Sequence, residues 1–206
     1  MTLKVVFMGT PQFAVPALKK ICESEIDIVA VYSQPPRKSN RGMKIEKSPV
    51  HEFADNNNLN IRTPSKLDND WEYFKSLTFD LAIVVAYGQI ILKNFLEIPE
   101  HGFLNIHASI LPKWRGAAPI QRSIMEQDTF TGISIMQIEE QLDAGPVLIK
   151  QEIELNENST TGQVEQNLSE IGADKILEAI HLVEKKEAVY IPQDDNAATY
   201  AKKIKK

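Results

Sequence analysis

The stretch "FLNIHASILPKWRGAAPIQR", residues 103–122, sets an amide and an imidazole two residues apart at the end of an apolar run. In an extended strand, alternation puts Phe103, Asn105 and His107 on one face and Leu104 and Ile106 on the other. Asn105 and His107 then stand about 7 Å apart, side by side. An amide donor and an imidazole so spaced suit two groups gripping one small carbonyl. The same types also suit a plainer role, a buried histidine satisfied by a backbone carbonyl beside an asparagine that caps a turn. The residues after His107 weigh against the plainer role. "SILPKWRGAAP" is a long crossing with no period. Pro112 and Pro119 stiffen it, Gly116 permits close approach, and Trp114 has no periodic partner for core packing.

The third candidate is Asp143 in "EEQLDAGPV", on a turn after an apolar strand. A turn aspartate commonly bonds local backbone. Beside His107 it would instead raise the imidazole's proton affinity and fix its orientation. Other chemistries lack their signatures. There is no G-x-S-x-G elbow, no Walker pattern and no H-E-x-x-H. "FMGTPQF" lacks the three-glycine dinucleotide fingerprint. His51, His101 and His181 have no ligand-like spacing, so no metal is expected. A single cysteine, Cys22, excludes an intrachain disulfide and a thiolate-rich metal site.

These side chains need elements to hold them. "LKVVFM" (3–8), "DIVAVYS" (27–33), "LNIRT" (59–63), "DLAIVVAYG" (80–88) and "GFLNIH" (102–107) read as strands, as do 131–139 and a half-exposed 145–155. Helices are expected over about 12–24 with Thr10 as cap, after Ser48 and Pro49, over 68–77, from near Ala117, and from Thr160 or Thr161 to about Lys185. Residues 34–47 and the tail read as irregular. Strands alternating with helices give an α/β class, a Rossmann-like open, mostly parallel sheet with helices on both faces and a β-rich late edge. Ligands of such sheets sit beyond the carboxyl ends of the strands. Gly9, Tyr87, Gly88 and His107 all fall there, which predicts one shared rim.

The 206 residues are room for one such domain, and 43% hydrophobic with 25% charged residues is ordinary for a soluble protein. No run of eighteen apolar residues exists, and the N-terminus does not read as a signal peptide. A cytoplasmic monomer with no membrane contact is the expectation. Net charge is −5, so basic character is local: five basic side chains lie in residues 37–47 and four lysines in 202–206.

"NIHASILPKWRGAAPIQR" resembles the signature of the methionyl-tRNA formyltransferase family, within the folate-dependent formyltransferases. "FMGTPQFAVPAL", "SQPPRKSNRG", "DLAIVVAYGQIIL" and "EEQLDAGPV" resemble its other blocks, in order. The resemblance implies formyl transfer from 10-formyltetrahydrofolate to the amine of initiator methionyl-tRNA, without a metal. It implies Asn105, His107 and Asp143 as catalytic residues. Ser109, Ile110, Leu111 and Pro112 match its folate-contacting segment, with Ile110 where leucine is commoner. Val85, Tyr87 and Gly88 would help line the pterin slot. Arg37, Lys38, Arg41, Gly42 and Lys44 lie in the segment expected at the tRNA acceptor end. Residues 1–189 are expected to be the catalytic domain and 190–206 the start of a linker to a C-terminal tRNA-binding domain that this chain does not include. A hydrolase of the formyl donor, a formyltransferase for a small amine, and a folate- or tRNA-binding module without turnover stay open as alternatives.

Overall fold

The structure, a computed structural model, describes residues 2–39 and 44–204. In chain order the elements are β1 (Lys4–Gly9), α1 (Val15–Cys22), β2 (Asp27–Tyr32), β3 (Arg37–Ser39), β4 (Lys44–Glu46), α2 (Pro49–Asn56), β5 (Ile61–Arg62), α3 (Trp71–Ser76), β6 (Leu81–Val85), α4 (Lys93–Leu96), β7 (Phe103–His107), β8 (Arg115–Gly116), α5 (Pro119–Met125), β9 (Phe130–Gln137), β10 (Val147–Glu154), α6 (Thr161–Glu184) and β11 (Tyr200–Ala201). The chain divides into two compact units, 1–103 and 104–206.

In the first unit the strand order is β6-β1-β2-β5, all parallel. Past Lys4, β1 is buried throughout, and so is β6. Because successive side chains point to opposite faces, burial of every residue means that both faces are covered, as an α/β sheet requires. Aromatic rings fill the interior: Phe74 meets Tyr32, Phe79 and Phe95 edge-on, with centroids 5.1–5.4 Å apart, and Trp71 meets Phe95 at 4.8 Å. Ser48 caps α2, accepting from His51 N at 3.1 Å, with Pro49 in the first turn as the sequence predicts. The cap expected of Thr10 is not made. A 3-10 turn, Gln12–Ala14, precedes α1, and the Thr10 hydroxyl is spent elsewhere, donating to Tyr87 O at 2.7 Å.

In the second unit β9 pairs antiparallel with both β7 and β10, which is the β-rich late edge expected from the sequence. β10 is half-exposed, as predicted. The 24-residue α6 starts with a full capping box, Thr160 and Gln163 bonding each other's ends, and packs on β9 and β10. Gly172 lets α6 sit close: a Cβ there would lie 2.8 Å from Ile106 Cγ2. α6 therefore covers the Ile106 face of β7, and Asn105 and His107 point the other way.

The segments read as irregular are less so. β3 and β4 form a short antiparallel ribbon at the two ends of the basic loop. The tail returns as a bridge from Ile191 to Val147 and as β11, which pairs parallel with β8.

Candidate active site

β7 delivers His107 to a position opposite Ser134 of β9, and Asn105 opposite Met136. His107 is buried, and Asn105 is half-buried. Ser134, fully buried between Ile133 and Ile135, pins the crossing that comes after His107. Its Oγ donates to Ser109 O at 2.7 Å and accepts from Leu111 N at 3.1 Å. Leu111 anchors the same segment by packing with Met136 and Val147, and Lys150 Nζ donates to its carbonyl. Ser109, Ile110, Leu111 and Pro112 are thus held as one rigid stretch.

The imidazole sits between two acceptors. Nε2 lies 2.9 Å from Trp114 O, and Nδ1 lies 3.6 Å from Asp143 Oδ2. A carbonyl only accepts, so Nε2 bears the proton and donates a hydrogen bond to Trp114 O. Both roles weighed for His107 in the sequence therefore meet in one ring: a backbone carbonyl on one side, a carboxylate on the other. Asp143 is fixed in turn, since its Oδ2 accepts from Gly116 N at 2.7 Å. Three residues of this knot have left-handed backbone: Trp114 (φ 63), Gly116 (φ 112) and Asp143 (φ 48). The first and last bear side chains that disfavour that region by roughly 1–2 kcal/mol each, so the surrounding bonds must outweigh them. Gly116 is required twice over, because a Cβ there would also meet Ala201 O at 2.9 Å.

Trp114 is tied down rather than free. Its Nε1 donates to Asp128 Oδ2 at 2.7 Å, and Lys113 Nζ pairs with Asp128 Oδ1 at 2.7 Å while lying 5.5 Å from the indole centroid. Next to it, Arg115 is wholly buried. Its guanidinium donates to Gln193 Oε1 from Nε (3.1 Å) and Nη2 (2.9 Å), and to Asp195 Oδ1 at 2.8 Å. Burial works against its charge, but bonding to Asp195 and Tyr200 prevails and holds it above its ordinary value. Sequence reasoning missed Ser134, Gln193 and Asp195. A lone serine inside "GISIMQI" was the legible signal for the first; the other two lie in a segment without any pattern.

In the first unit, Gly9 pairs with Val85, so β1 and β6 end at one rim. The turn after β6 uses positive φ at Ala86 (48) and Gly88 (83), and Tyr87 O accepts from Thr10 Oγ1 (2.7 Å) and Gln34 Nε2 (3.3 Å). The side chains of Val85 and Tyr87 face the packed interior, whereas Ala86 and Gly88 are exposed. The Tyr87 hydroxyl is buried and has no hydrogen-bond partner among the described residues; burial first, then the charge of Asp70, pushes its pKa up. Arg37 Nη2 donates to Gln34 Oε1 at 2.6 Å, which ties the start of the basic loop to this turn. Lys38 and Lys44 are described in backbone only, and Arg41 and Gly42 lie outside the described residues. Among the described residues no cluster of His, Cys, Asp and Glu is placed to hold a metal ion, and no helix is long and apolar enough to cross a membrane.

The family described as formyl transferase matches residues 3–180. The chain belongs to the formyl transferase family. Among curated formyl transferases it is 51% identical over 209 residues to a methionyl-tRNA formyltransferase of Pelagibacter ubique, covering 100% of this chain and 67% of that protein. It is 47% identical over 206 residues to the methionyl-tRNA formyltransferase of Parvibaculum lavamentivorans, covering 99% of this chain and 66% of that protein. The chain thus spans about two thirds of the length of these relatives. An N-formyltransferase from Helicobacter canadensis, solved in complex with folinic acid and dTDP-3-aminofucose, superposes with a TM-score of 0.76 at 20% identity, covering 98% of this chain and 71% of that one. The phosphoribosylglycinamide formyltransferase of Anaplasma phagocytophilum gives a TM-score of 0.76 at 15% identity, covering 95% and 96%. At those identities the likeness is one of fold. The formyl transferase match ends inside α6, so Gln193, Asp195 and β11 lie beyond it.

Proposed function

We propose that this chain performs the chemical step of methionyl-tRNA formylation, moving a formyl group from N10 of 10-formyltetrahydrofolate to the α-amine of methionine esterified to initiator tRNA. The observation that supports it best is the pairing of His107 with Asp143 at 3.6 Å, with Asn105 two residues back on the same face of β7. The neutral amine attacks the formyl carbon. A C–N bond forms, the carbonyl oxygen takes the electron pair, and a tetrahedral centre results. Asn105 donates to that oxygen, an interaction worth about 3 kcal/mol in the transition state. Asp143 accepts the proton that the amine must lose, directly or through water, with His107 as its partner. Collapse breaks the bond to N10, which leaves with a proton returned by the same pair. No nucleophilic side chain is needed.

In this reading Ser109, Ile110, Leu111 and Pro112 contact the folate, with Val85, Tyr87 and Gly88 around the pterin. Arg37, Lys38, Arg41, Gly42 and Lys44 meet tRNA phosphates. One copy of the chain, in the cytoplasm, is the working unit. The test is to supply purified chain with the formyl donor and charged initiator tRNA, and in a second arm with water alone. Formylated methionyl-tRNA that disappears in the His107→Ala variant supports the proposal. Formate release without tRNA formylation would make the chain a hydrolase, and folate binding without any turnover would make it a binding module.

A further inference from the structure

The tail after α6 is mostly exposed, with Ile191 at 65% and Tyr200 at 52%, so apolar burial does not explain why residues 191–201 lie where they do. Polar contacts hold them, and those contacts converge on the groups around His107. Gln193 uses its whole hydrogen-bonding capacity. Its Oε1 accepts twice from Arg115, and its Nε2 donates to Asp143 O at 2.9 Å and Gly145 O at 2.7 Å. Only one orientation of the amide satisfies all four partners, since a guanidinium only donates and carbonyls only accept. Thr199 holds the other side of the knot. Its Oγ1 accepts from Trp114 N at 2.9 Å, its carbonyl from Arg115 N at 2.9 Å, and its N–H donates to Pro112 O at 3.3 Å. Ala201 O accepts from Ala117 N at 2.9 Å.

We propose that residues 191–201 form a strap that sets the geometry of the His107–Asp143 pair, with Gln193 as the positioning residue of Asp143 and Thr199 as that of the Trp114 carbonyl. The chemistry asks for an amide at 193. Two carbonyls of one strained turn, those of Asp143 and Gly145, need two donors, and the buried guanidinium of Arg115 needs an acceptor. Glutamate would serve Arg115 and fail the turn. The proposal goes beyond the formyl-transfer reading and rests on it only for its activity readout.

Gln193→Glu tests it in the full chain. The variant keeps the Arg115 contact, so its Tm should stay within a few degrees of the wild type. Its kcat for formyl transfer should fall about tenfold or more, with KM for the formyl donor unchanged, because misplacement of a reacting group is felt in the transition state. In protein labelled with 15N at histidine, the His107 ring resonances, assigned by their loss in His107→Ala, should move. Thr199→Val should move the same resonances and lower kcat, and Thr199→Ser should restore both. The proposal is overturned if Gln193→Glu leaves kcat and the ring resonances as they were. It is equally overturned if both Thr199 variants lower Tm alike and leave the resonances in place. A wild-type chain that transfers no formyl group would count against the catalytic reading alone, and the ring resonances would still decide for or against Gln193.

Discussion

At the level of single residues, the imidazole of His107 is committed on both sides: one nitrogen serves a carbonyl, and the other faces a carboxylate. A ring so held is an orienting partner for Asp143 before it is a donor to substrate, which leaves Asn105, whose amide has no side-chain hydrogen bond among the described residues, as the donor on that face. Asn105→Ala is expected to lower kcat by about 10²- to 10³-fold while the dissociation constant of the formyl donor, measured by titration, stays the same. Asp143→Asn keeps an oxygen for Gly116 N but removes the charge. Its kcat should fall by about 10²-fold at unchanged Tm, measured by initial rates and thermal melts. That Asn105 and His107 share one face of a strand and that Asp143 sits on a turn was legible from alternation and from the Gly-Pro that comes after it; their chemical roles were not, because the same types suit plainer tasks. The Trp114 carbonyl was not, because a backbone acceptor has no letter in the sequence and is aimed by a φ angle that tryptophan rarely adopts.

Among the elements, the long strands and α6 were read correctly because each has a clear period or cap. What escaped were the shortest pieces: α4, a single helical turn, and the pairs β3 with β4 and β8 with β11, too short for a period to show. Two predictions belong here. Gly172→Val forces a branched side chain against Ile106, and overpacking of about 2 kcal/mol should lower Tm by about 5 °C, read by calorimetry. In the first unit, Asp70 joins β2, β5 and the turn before α3, accepting from Tyr32 Oη at 2.9 Å and from Arg62 through Nε at 3.0 Å and Nη2. Burial pushes the Asp70 carboxyl up, but the bonds from Arg62 and Tyr32 outweigh it and hold its pKa below the ordinary value. A carboxyl depressed on folding stabilises the fold above its unfolded value, about 3.9, and loses that contribution as pH falls through the lower folded value. Asp70→Asn should therefore cost about 2 kcal/mol at pH 7 in urea unfolding, and the gap from wild type should close in acid.

Over the whole molecule, net charge and local charge disagree: −5 overall, with five basic side chains in residues 37–47. If those side chains meet phosphate, log(kcat/KM) for charged tRNA should fall linearly with log salt, while donor hydrolysis stays level. Arg41→Ala should reduce that slope by about 1. An unchanged slope would remove the loop from the tRNA account. The α/β class was legible at this scale, because alternation of element types survives errors at their ends. The role of the tail was not. It lacks a hydrophobic pattern because polar bonds, made to residues some 50 to 85 positions earlier, hold it in place.

Trp114 gives the molecule an optical reporter. Of its two tryptophans, Trp71 is packed against Phe95 in the first unit, whereas Trp114 holds its indole between a carboxylate and a lysine, on the residue whose own carbonyl grips His107. An indole in a polar cradle emits at a wavelength that tracks small displacements of those charges. With Trp71 replaced by phenylalanine, emission from the remaining fluorophore would register, in real time and without a label, any movement of the backbone that grips the imidazole.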